Sequence, residues 1–267
     1  MAFPSIDPVA FRLGPLEIKW YALAYVAGLL FAVAYMKRLV RTPRLWDEGS
    51  PPPSPGQIDD LFIWATLGVV LGGRLGYVLF YDPSYFLRQP LAIARLWQGG
   101  MSFHGGFAGV IAACWLHSRN TGVRLDRWLD LAAAAVPMGL GLGRVANFIN
   151  GELYGRVSSV PWAVVFPDGG PLPRHPSQLY EAALEGMGLF LACRIASHRF
   201  RALAYPGRVA GIFTLGYGMA RMGVELFREP DAQIGIAAGF LTRGMLLCLP
   251  MMVVGGWLII RSRSVER

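Results

Sequence analysis

Gly141-Leu142-Gly143-Arg144-Val145-Ala146-Asn147-Phe148-Ile149-Asn150-Gly151-Glu152-Leu153-Tyr154-Gly155-Arg156 follows an apolar segment long enough to cross a bilayer, yet it carries arginine, asparagine and glutamate among closely spaced glycines. Ionisable groups at that depth are costly, so each one raises a functional hypothesis by default. The glycines let another backbone or a ligand approach closely, because no Cβ intervenes. A transporter helix shares these features, so the rest of the chain has to decide between the readings.

The 267 residues are 54% hydrophobic and 16% charged, whereas a soluble domain is nearer a quarter charged. Apolar windows near 20–36, 58–81, 101–117, 128–149, 179–196, 209–227 and 243–260 approach the roughly 20 residues that span about 30 Å of hydrocarbon. The pattern predicts an all-α, polytopic membrane bundle of about seven transmembrane helices, forming one domain over 1–267. Pro51-Pro52-Pro53-Ser54-Pro55-Gly56 reads as a linker that cannot be helical throughout. Segment 82–100 reads as a short loop with an interfacial helix around Leu91 to Trp97. Segment 156–178, rich in Pro and Gly, reads as the longest extramembrane insertion after the linker. Met1 to Lys19, with Asp7, Arg12, Glu17 and no continuous apolar run, lacks the pattern of a secretory signal. Cys114, Cys193 and Cys248 lie singly in apolar segments, as buried small hydrophobes do.

The net charge of +8 fits membrane topology better than a nucleic-acid footprint. One set of segment ends carries Lys37, Arg38, Arg41, Arg44, Arg119, Arg124, Arg127, Arg199, Arg201, Arg208, Arg261, Arg263 and Arg267. The opposite set carries Arg12, Lys19, Arg88, Arg95, Arg156, Arg174, Arg228 and Arg243. The richer side is expected in the cytoplasm, which puts the N-terminus outside and the C-terminus inside. Arg194 lies near a cytoplasmic end and can snorkel. Arg74, Arg144 and Arg221 remain, each roughly 7–11 Å below the outer boundary at 1.5 Å per residue. They are expected to gather guanidinium groups at one depth in the outer leaflet.

Such a cluster needs anionic compensation. Tyr217, Arg221 and Glu225 recur at every fourth position, so they share a helix face and Arg221 can pair with Glu225. Glu152 is positioned to serve Arg144 or Arg156. A buried ion-pair network locking helices together explains part of this pattern. The guanidinium groups outnumber these two carboxylates, however, and a phospholipid phosphate suits the excess because arginine's planar fork matches its oxygens. His104 opens the third segment in Met101-Ser102-Phe103-His104-Gly105-Gly106 and can receive a proton near neutral pH. Tyr21 opens the first. By topology Tyr21, His104, Arg144, Asn147, Glu152, Arg221 and Glu225 all fall on the outer side.

Other polar features have structural readings. Gly68, Gly72 and Gly76, four apart, mark tight helix packing. Asp59 and Asp60 favour the N-terminal end of the second segment. Ser177 is placed to cap the fifth, with Tyr180 and Glu181 in its first turns. The chain contains no GxSxG, HExxH, Walker loop or paired Cys/His ligand set, so serine, zinc and nucleotide chemistry lack support. A transporter would need polar groups through both halves of the bundle, whereas the inner halves here are largely apolar.

On these residues the chain resembles the prolipoprotein diacylglyceryl transferases, over nearly its whole length. The most specific element is Gly143-Arg144-Val145-Ala146-Asn147-Phe148-Ile149-Asn150-Gly151-Glu152. Trp20-Tyr21, Gly72-Gly73-Arg74-Leu75-Gly76-Tyr77, Met101 to Gly106, Arg174-His175-Pro176-Ser177-Gln178-Leu179-Tyr180-Glu181, Gly216-Tyr217-Gly218 and Arg228 to Gln233 add matches in order. Ala22 stands where glycine commonly follows the Trp-Tyr pair, and the 156–178 insertion is short for the family. The resemblance implies a multi-pass enzyme of the bacterial inner membrane with its active site at the periplasmic leaflet. It implies transfer of the sn-1,2-diacylglyceryl group of phosphatidylglycerol to the lipobox cysteine of a prolipoprotein signal peptide, releasing glycerol 1-phosphate without metal or organic cofactor. The family's important positions match Tyr21, His104, Arg144, Asn147, Glu152, Gly155, Tyr217, Arg221 and Glu225. The implied catalytic group is His104, Arg144, Glu152, Arg221 and Glu225. The implied lipid-binding group is Tyr21, Arg144, Asn147, Gly155, Tyr217 and Arg221.

Overall fold

The computed structural model describes the chain except Ser5 and residues 48–50, 230–235, 239–240 and 264–267. Pro230 to Gln233 of the matching stretch and Arg267 of the basic set lie outside the described residues, as do the side chains of Arg243 and Arg263. Long helices coincide with each apolar segment: α1 (Trp20–Val40), α2 (Pro55–Phe80), α4 (Phe103–Thr121), α5 (Leu125–Ile149), α8 (Arg208–Glu225) and α9 (Arg243–Arg263). The fifth segment is composite, with α6 (Ser177–Glu181), a π-helical stretch at Ala182–Gly188, then α7 (Leu189–Phe200). Trp20–Val40, Pro55–Phe80, Leu125–Ile149 and Gly244–Ser262 are long and apolar enough to cross a membrane. Phe80 at 82%, Val253 at 72% and Ile260 at 70% exposure would be untenable in water as part of so continuous an apolar exterior. The chain is a helical, multi-pass membrane protein.

Several boundaries differ from expectation. Pro55 and Gly56 belong to α2, not the linker: Ser54 accepts from Gln57 N (3.2 Å) while Gln57 Oε1 accepts from Ser54 N (2.8 Å). This reciprocal capping box starts the helix a turn early and favours proline at its first position. Asp59 and Asp60 therefore sit in its second turn. Segment 82–100 holds a short helix, α3 (Pro83–Arg88), then 3₁₀ turns at Pro90–Ala94 and Leu96–Gln98. Ser177 is the first helical residue rather than a cap, and its hydroxyl donates instead to Leu153 O (3.0 Å).

The chain divides into two compact units, Met1–Pro51 with Leu129–Arg267, and Pro52–Trp128. In the second, the expected glycine stripe is a packing seam. Gly68, Gly72 and Gly76 of α2 face Gly105 and Gly109 of α4 so closely that a Cβ on Gly72 would lie 2.8 Å from Gly109 Cα. Arg74 also lies here, and its expected part in the outer-leaflet cluster is corrected. Its guanidinium donates to the carbonyls of Ala92, Ile93, Arg95, Gly99 and Gly100, which occupies all five N–H groups. With its face over the Phe86 ring at 5.1 Å and 5% exposure, it organises the 90–100 turns.

In the other unit, β1 (Val9–Leu13) and β2 (Leu16–Lys19) form an antiparallel hairpin leading into α1. The 156–178 segment is irregular, pinned by bridges Val157↔Arg174 and Val164↔Arg174, and the chain's first residues join it at Ala2↔Val165. Asp130 of α5 is buried and accepts from Gly207 N (2.7 Å) and Ala210 N (2.8 Å). It thereby caps the start of α8 in place of a local side chain. The free thiols of Cys114, Cys193 and Cys248 are buried, as expected. β3 (Ile236–Ala238) and β4 (Leu241–Thr242) form a small antiparallel pair before α9.

Replacing Gly109 with leucine is expected to lower stability by about 3 kcal/mol or more, because the obstacle is backbone that cannot repack. Gly256→Ala, where a Cβ meets nothing within 4 Å, should leave the thermal midpoint unchanged or slightly raised. Thermal unfolding of both variants in one detergent checks the pair.

Candidate active site

Three helical stretches converge on one buried carboxylate. Pro137 interrupts the hydrogen-bond ladder of α5. One turn later Gly141 meets Gly186 of the π-helical stretch, where a Cβ on Gly186 would stand 2.6 Å from Gly141 Cα. That contact brings the two backbones together just below Arg144, and the side chain reaches across: Arg144 Nε lies 2.7 Å from Glu181 Oε2. From α8, Arg221 Nη1 lies 2.7 Å from Glu181 Oε1, while its Nη2 lies 2.8 Å from Glu225 Oε2. Arg228, just beyond α8, adds Nη1 at 3.4 Å from Glu181 Oε1. Glu185, four residues on from Glu181, stands 3.9 Å from Arg144 Nη2 and 3.8 Å from Arg221 Nη1, with both oxygens buried and without a hydrogen bond among the described residues. Thr242 donates to Glu225 Oε1 (2.9 Å), and Gly244 leaves room for that carboxylate.

The arrangement has a front and a back. The Glu181 and Glu185 side chains are 1% exposed and Glu225 is 8%, whereas Arg144 is 21%, Arg221 15% and Arg228 12%. The carboxylates lie behind and the guanidinium groups in front. Arg144 is in close contact with a carboxylate only through Nε, and its Nη2 lies 3.9 Å from Glu185, so the fork is held by one edge in the most exposed side chain of the cluster.

The Arg221–Glu225 pair stands as expected, but two expectations for this cluster are corrected. Glu152 does not hold Arg144; its Oε1 accepts from Asn147 Nδ2 (2.8 Å) and Asn150 Nδ2 (3.2 Å), so it orients asparagines. Nor do the guanidinium groups of Arg144, Arg221 and Arg228 outnumber their carboxylates, since Glu181 and Glu185 restore the balance. The sequence offered a signal for these two acids. They lie four apart in an apolar segment, the pattern that singled out Arg221 and Glu225. Arg228 lacked one, because a basic residue at a segment end reads as topology.

The exit from α5 is equally constrained. Gly151 (φ 70°) and Leu153 (φ 59°) turn the chain in the left-handed region, and Gln178 Nε2 donates to Glu152 O (2.5 Å). Gly155 then threads between His175 and Phe227; its N–H donates to His175 O (2.8 Å), and any Cβ would collide with Phe227 O and His175 Cβ. Its bridge to Arg228 ties this loop to the arginine cluster. His175 Nδ1 lies 3.1 Å from Tyr180 OH, and burial lowers its pKa, which favours the neutral ring.

The structure thus gathers Arg144, Asn147, Glu152, Gly155, Arg221 and Glu225 on successive parts of one unit. Tyr217 precedes Arg221 by one turn on α8 and stacks on Phe213. Tyr21 is in the first turn of α1, with its hydroxyl 2.9 Å from that of Tyr25. His104 belongs to the other unit, exposed in the first turn of α4 after the Ser102 cap.

Glu181→Gln is expected to destabilise by about 3–5 kcal/mol, because it removes the charge that three guanidinium groups share. Glu225→Gln should do less, since Arg221 keeps Glu181. Thermal unfolding of the two variants at neutral pH measures the difference.

A family model described as prolipoprotein diacylglyceryl transferase matches residues 8–261. Curated phosphatidylglycerol–prolipoprotein diacylglyceryl transferases from Brucella canis, Brucella ovis and Brucella abortus are each 58% identical over 263 residues, 98% of this chain and 94% of theirs. With Arg144, Asn147 and Glu152 of the matching signature held as described, the chain belongs to the prolipoprotein diacylglyceryl transferase family.

Proposed function

We propose that this protein transfers the diacylglyceryl group of phosphatidylglycerol to the lipobox cysteine of a prolipoprotein, the first step of bacterial lipoprotein maturation. The observation that carries the reading is the pair Arg144 and Arg221, brought together by the buried Glu181 and both more exposed than it. The relatives' names supply the two substrates. The protein crosses the inner membrane seven times, with its N-terminus and the small 156–178 head in the periplasm and its C-terminus in the cytoplasm. The bias of basic residues towards one set of segment ends supports that orientation. The site then works at the periplasmic leaflet.

In the reaction the cysteine sulfur attacks the glyceryl carbon esterified to phosphate. A C–S bond forms, the C–O bond to the phosphate breaks, and glycerol 1-phosphate departs with the bonding electron pair. Negative charge grows on the departing oxygen, so donors that hold it better than the ground-state diester accelerate the step. Arg144 and Arg221 fill this role, positioned by Glu181 and Glu225. Asn147, oriented by Glu152, and Tyr21 hold headgroup or glycerol oxygens, with Tyr217 beside Arg221 and Gly155 keeping the loop close. The thiol proton must leave for sulfur to attack well, and the family resemblance makes His104 the candidate base to test. Positive charge beside the thiol favours the thiolate.

Purified protein, phosphatidylglycerol and a lipobox peptide should yield a lipidated cysteine and free glycerol phosphate. Arg144→Lys and Arg221→Lys should melt near the wild-type temperature yet lose about 10²-fold or more in rate, because a point charge cannot reproduce the fork. Wild-type rates in both would remove the clamp; no lipidated peptide from the wild-type protein would leave a structural ion-pair network as the reading. His104→Gln should lower the rate and flatten its acid limb across pH 5–9, and an unchanged profile excludes His104 as the base.

A further inference from the structure

The far end of the same unit carries a second concentration of positive charge. Arg44, Leu45, His198, Arg199 and Arg201 line a cleft of about 340 Å³. Its walls are the turns that follow α1 and α7: a 3₁₀ turn at Pro43–Leu45, and Arg201 in the left-handed region (φ 51°) leading into another at Ala202–Ala204. The two turns pack on each other, with Leu45 and Leu203 fully buried beneath them. Arg201 Nη2 donates to Trp46 O (3.2 Å), tying one wall to the other. The cleft is therefore shaped by an apolar floor and main-chain contacts rather than by mutual attraction of its charges.

Those charges are not internally balanced. Among the described residues no carboxylate is ion-paired with Arg44, Arg199 or Arg201, whereas Arg144, Arg221 and Arg228 each have one. Orientation by basic flanks explains why arginines lie at this end, but not why, among the described residues, they line one concavity whose lining holds no acid. The ring of Phe200, 68% accessible, lies 6.0 Å from the guanidinium of Arg199, which lines the cleft. From Glu181 to His198 the chain runs roughly 25 Å of helix at 1.5 Å per residue, close to the thickness of the hydrocarbon core. A guanidinium-lined hollow at one membrane face, flanked by an exposed aromatic ring, matches a phosphate headgroup with acyl chains attached.

We infer that this cleft binds the phosphate of an anionic phospholipid in the leaflet opposite the Arg144–Arg221 site, with its chains against Phe200. Only the name of that leaflet, cytoplasmic, rests on the orientation proposed above. The lipid here is a bound structural ligand and undergoes no chemistry.

The test uses full-length protein in phosphatidylcholine nanodiscs containing a small fraction of an anionic phospholipid with a photoactivatable acyl chain. After irradiation, adducts are expected on 43–46 and 198–203, and should fall about tenfold in Arg44→Gln/Arg199→Gln/Arg201→Gln. Adducts near Arg144 should persist in the variant, which separates this site from the proposed reaction. Arg199→Gln alone, which leaves the Arg201–Trp46 contact intact, should show a smaller loss in the same place if the triple variant melts early. Equal labelling of wild type and both variants, or equal labelling by a photoactivatable phosphatidylcholine, overturns the inference. So does inorganic phosphate, if at matched concentration it raises the melting temperature as the lipid does and displaces the adducts, for the cleft then takes free phosphate.

Discussion

Everything in the larger unit is arranged around a carboxylate that could not be there alone. Glu181 is 1% exposed, and both of its oxygens face guanidinium groups carried by α5, α8 and the residue stretch after α8. Moving an isolated carboxylate into such surroundings costs several kcal/mol even after relaxation, and pairing recovers that only with close geometry. The geometry is close because backbones are close: the Gly141–Gly186 contact sits one turn from Arg144, and Asp130 fixes the start of α8 against α5. Well-packed apolar side chains would satisfy the same space at lower risk, since buried ion pairs are often no more stabilising than hydrophobic replacements. The network is better understood as a device for holding arginines still than as a source of stability.

That distinction resolves an apparent difficulty. Three guanidinium groups balanced by Glu181, Glu185 and Glu225 have little net attraction for a distant anion. Near the front of the cluster the balance is local instead. At an effective dielectric near 20, a negative charge about 4 Å from a guanidinium gains about 4 kcal/mol, and a carboxylate about 8 Å behind removes about 2. The surplus is short-ranged, so it favours charge that develops at the cluster's face. Preorganised donors of this kind need no rearrangement as a reaction proceeds. Glu185 sharpens the picture, because its oxygens are near both arginines yet hydrogen-bonded to neither.

Periodicity along single helices is the part of this structure that the sequence reveals. The Arg221–Glu225 pair and the Gly68, Gly72, Gly76 seam are legible because both members, or all repeats, lie on one helix at fixed spacing. Partners across helices are not. Glu152 is an equally good match for Arg144 by proximity in the chain, but the turn through Gly151 and Leu153 directs it to Asn147 and Asn150. Spacing along the chain puts Arg74 with Arg144 and Arg221 as an expectation only, and such spacing says nothing about which way the side chain finds partners. Its five acceptors are carbonyls of a 3₁₀-rich turn, which no periodicity announces. Glu181 is visible too, but an acid near the start of a helix already has a reason to stand.

The irregular fifth segment explains why the cluster can exist on helices at all. A helix that starts at Ser177 and runs without interruption to Phe200 has one phase throughout, so the face carrying Glu181 also dictates which residues near its far end are buried. The π-helical stretch Ala182–Gly188 breaks that coupling, because an i→i+5 turn shifts the phase of the later turns. Glu181 and Glu185 can then face the arginines while Cys193 and Ser197 remain buried further along. Pro137 loosens α5 at the matching level, beside Gly186 rather than beside Arg144. Distortion is concentrated at the crossing point, with Glu181 closing the regular turn before it and Glu185 within it.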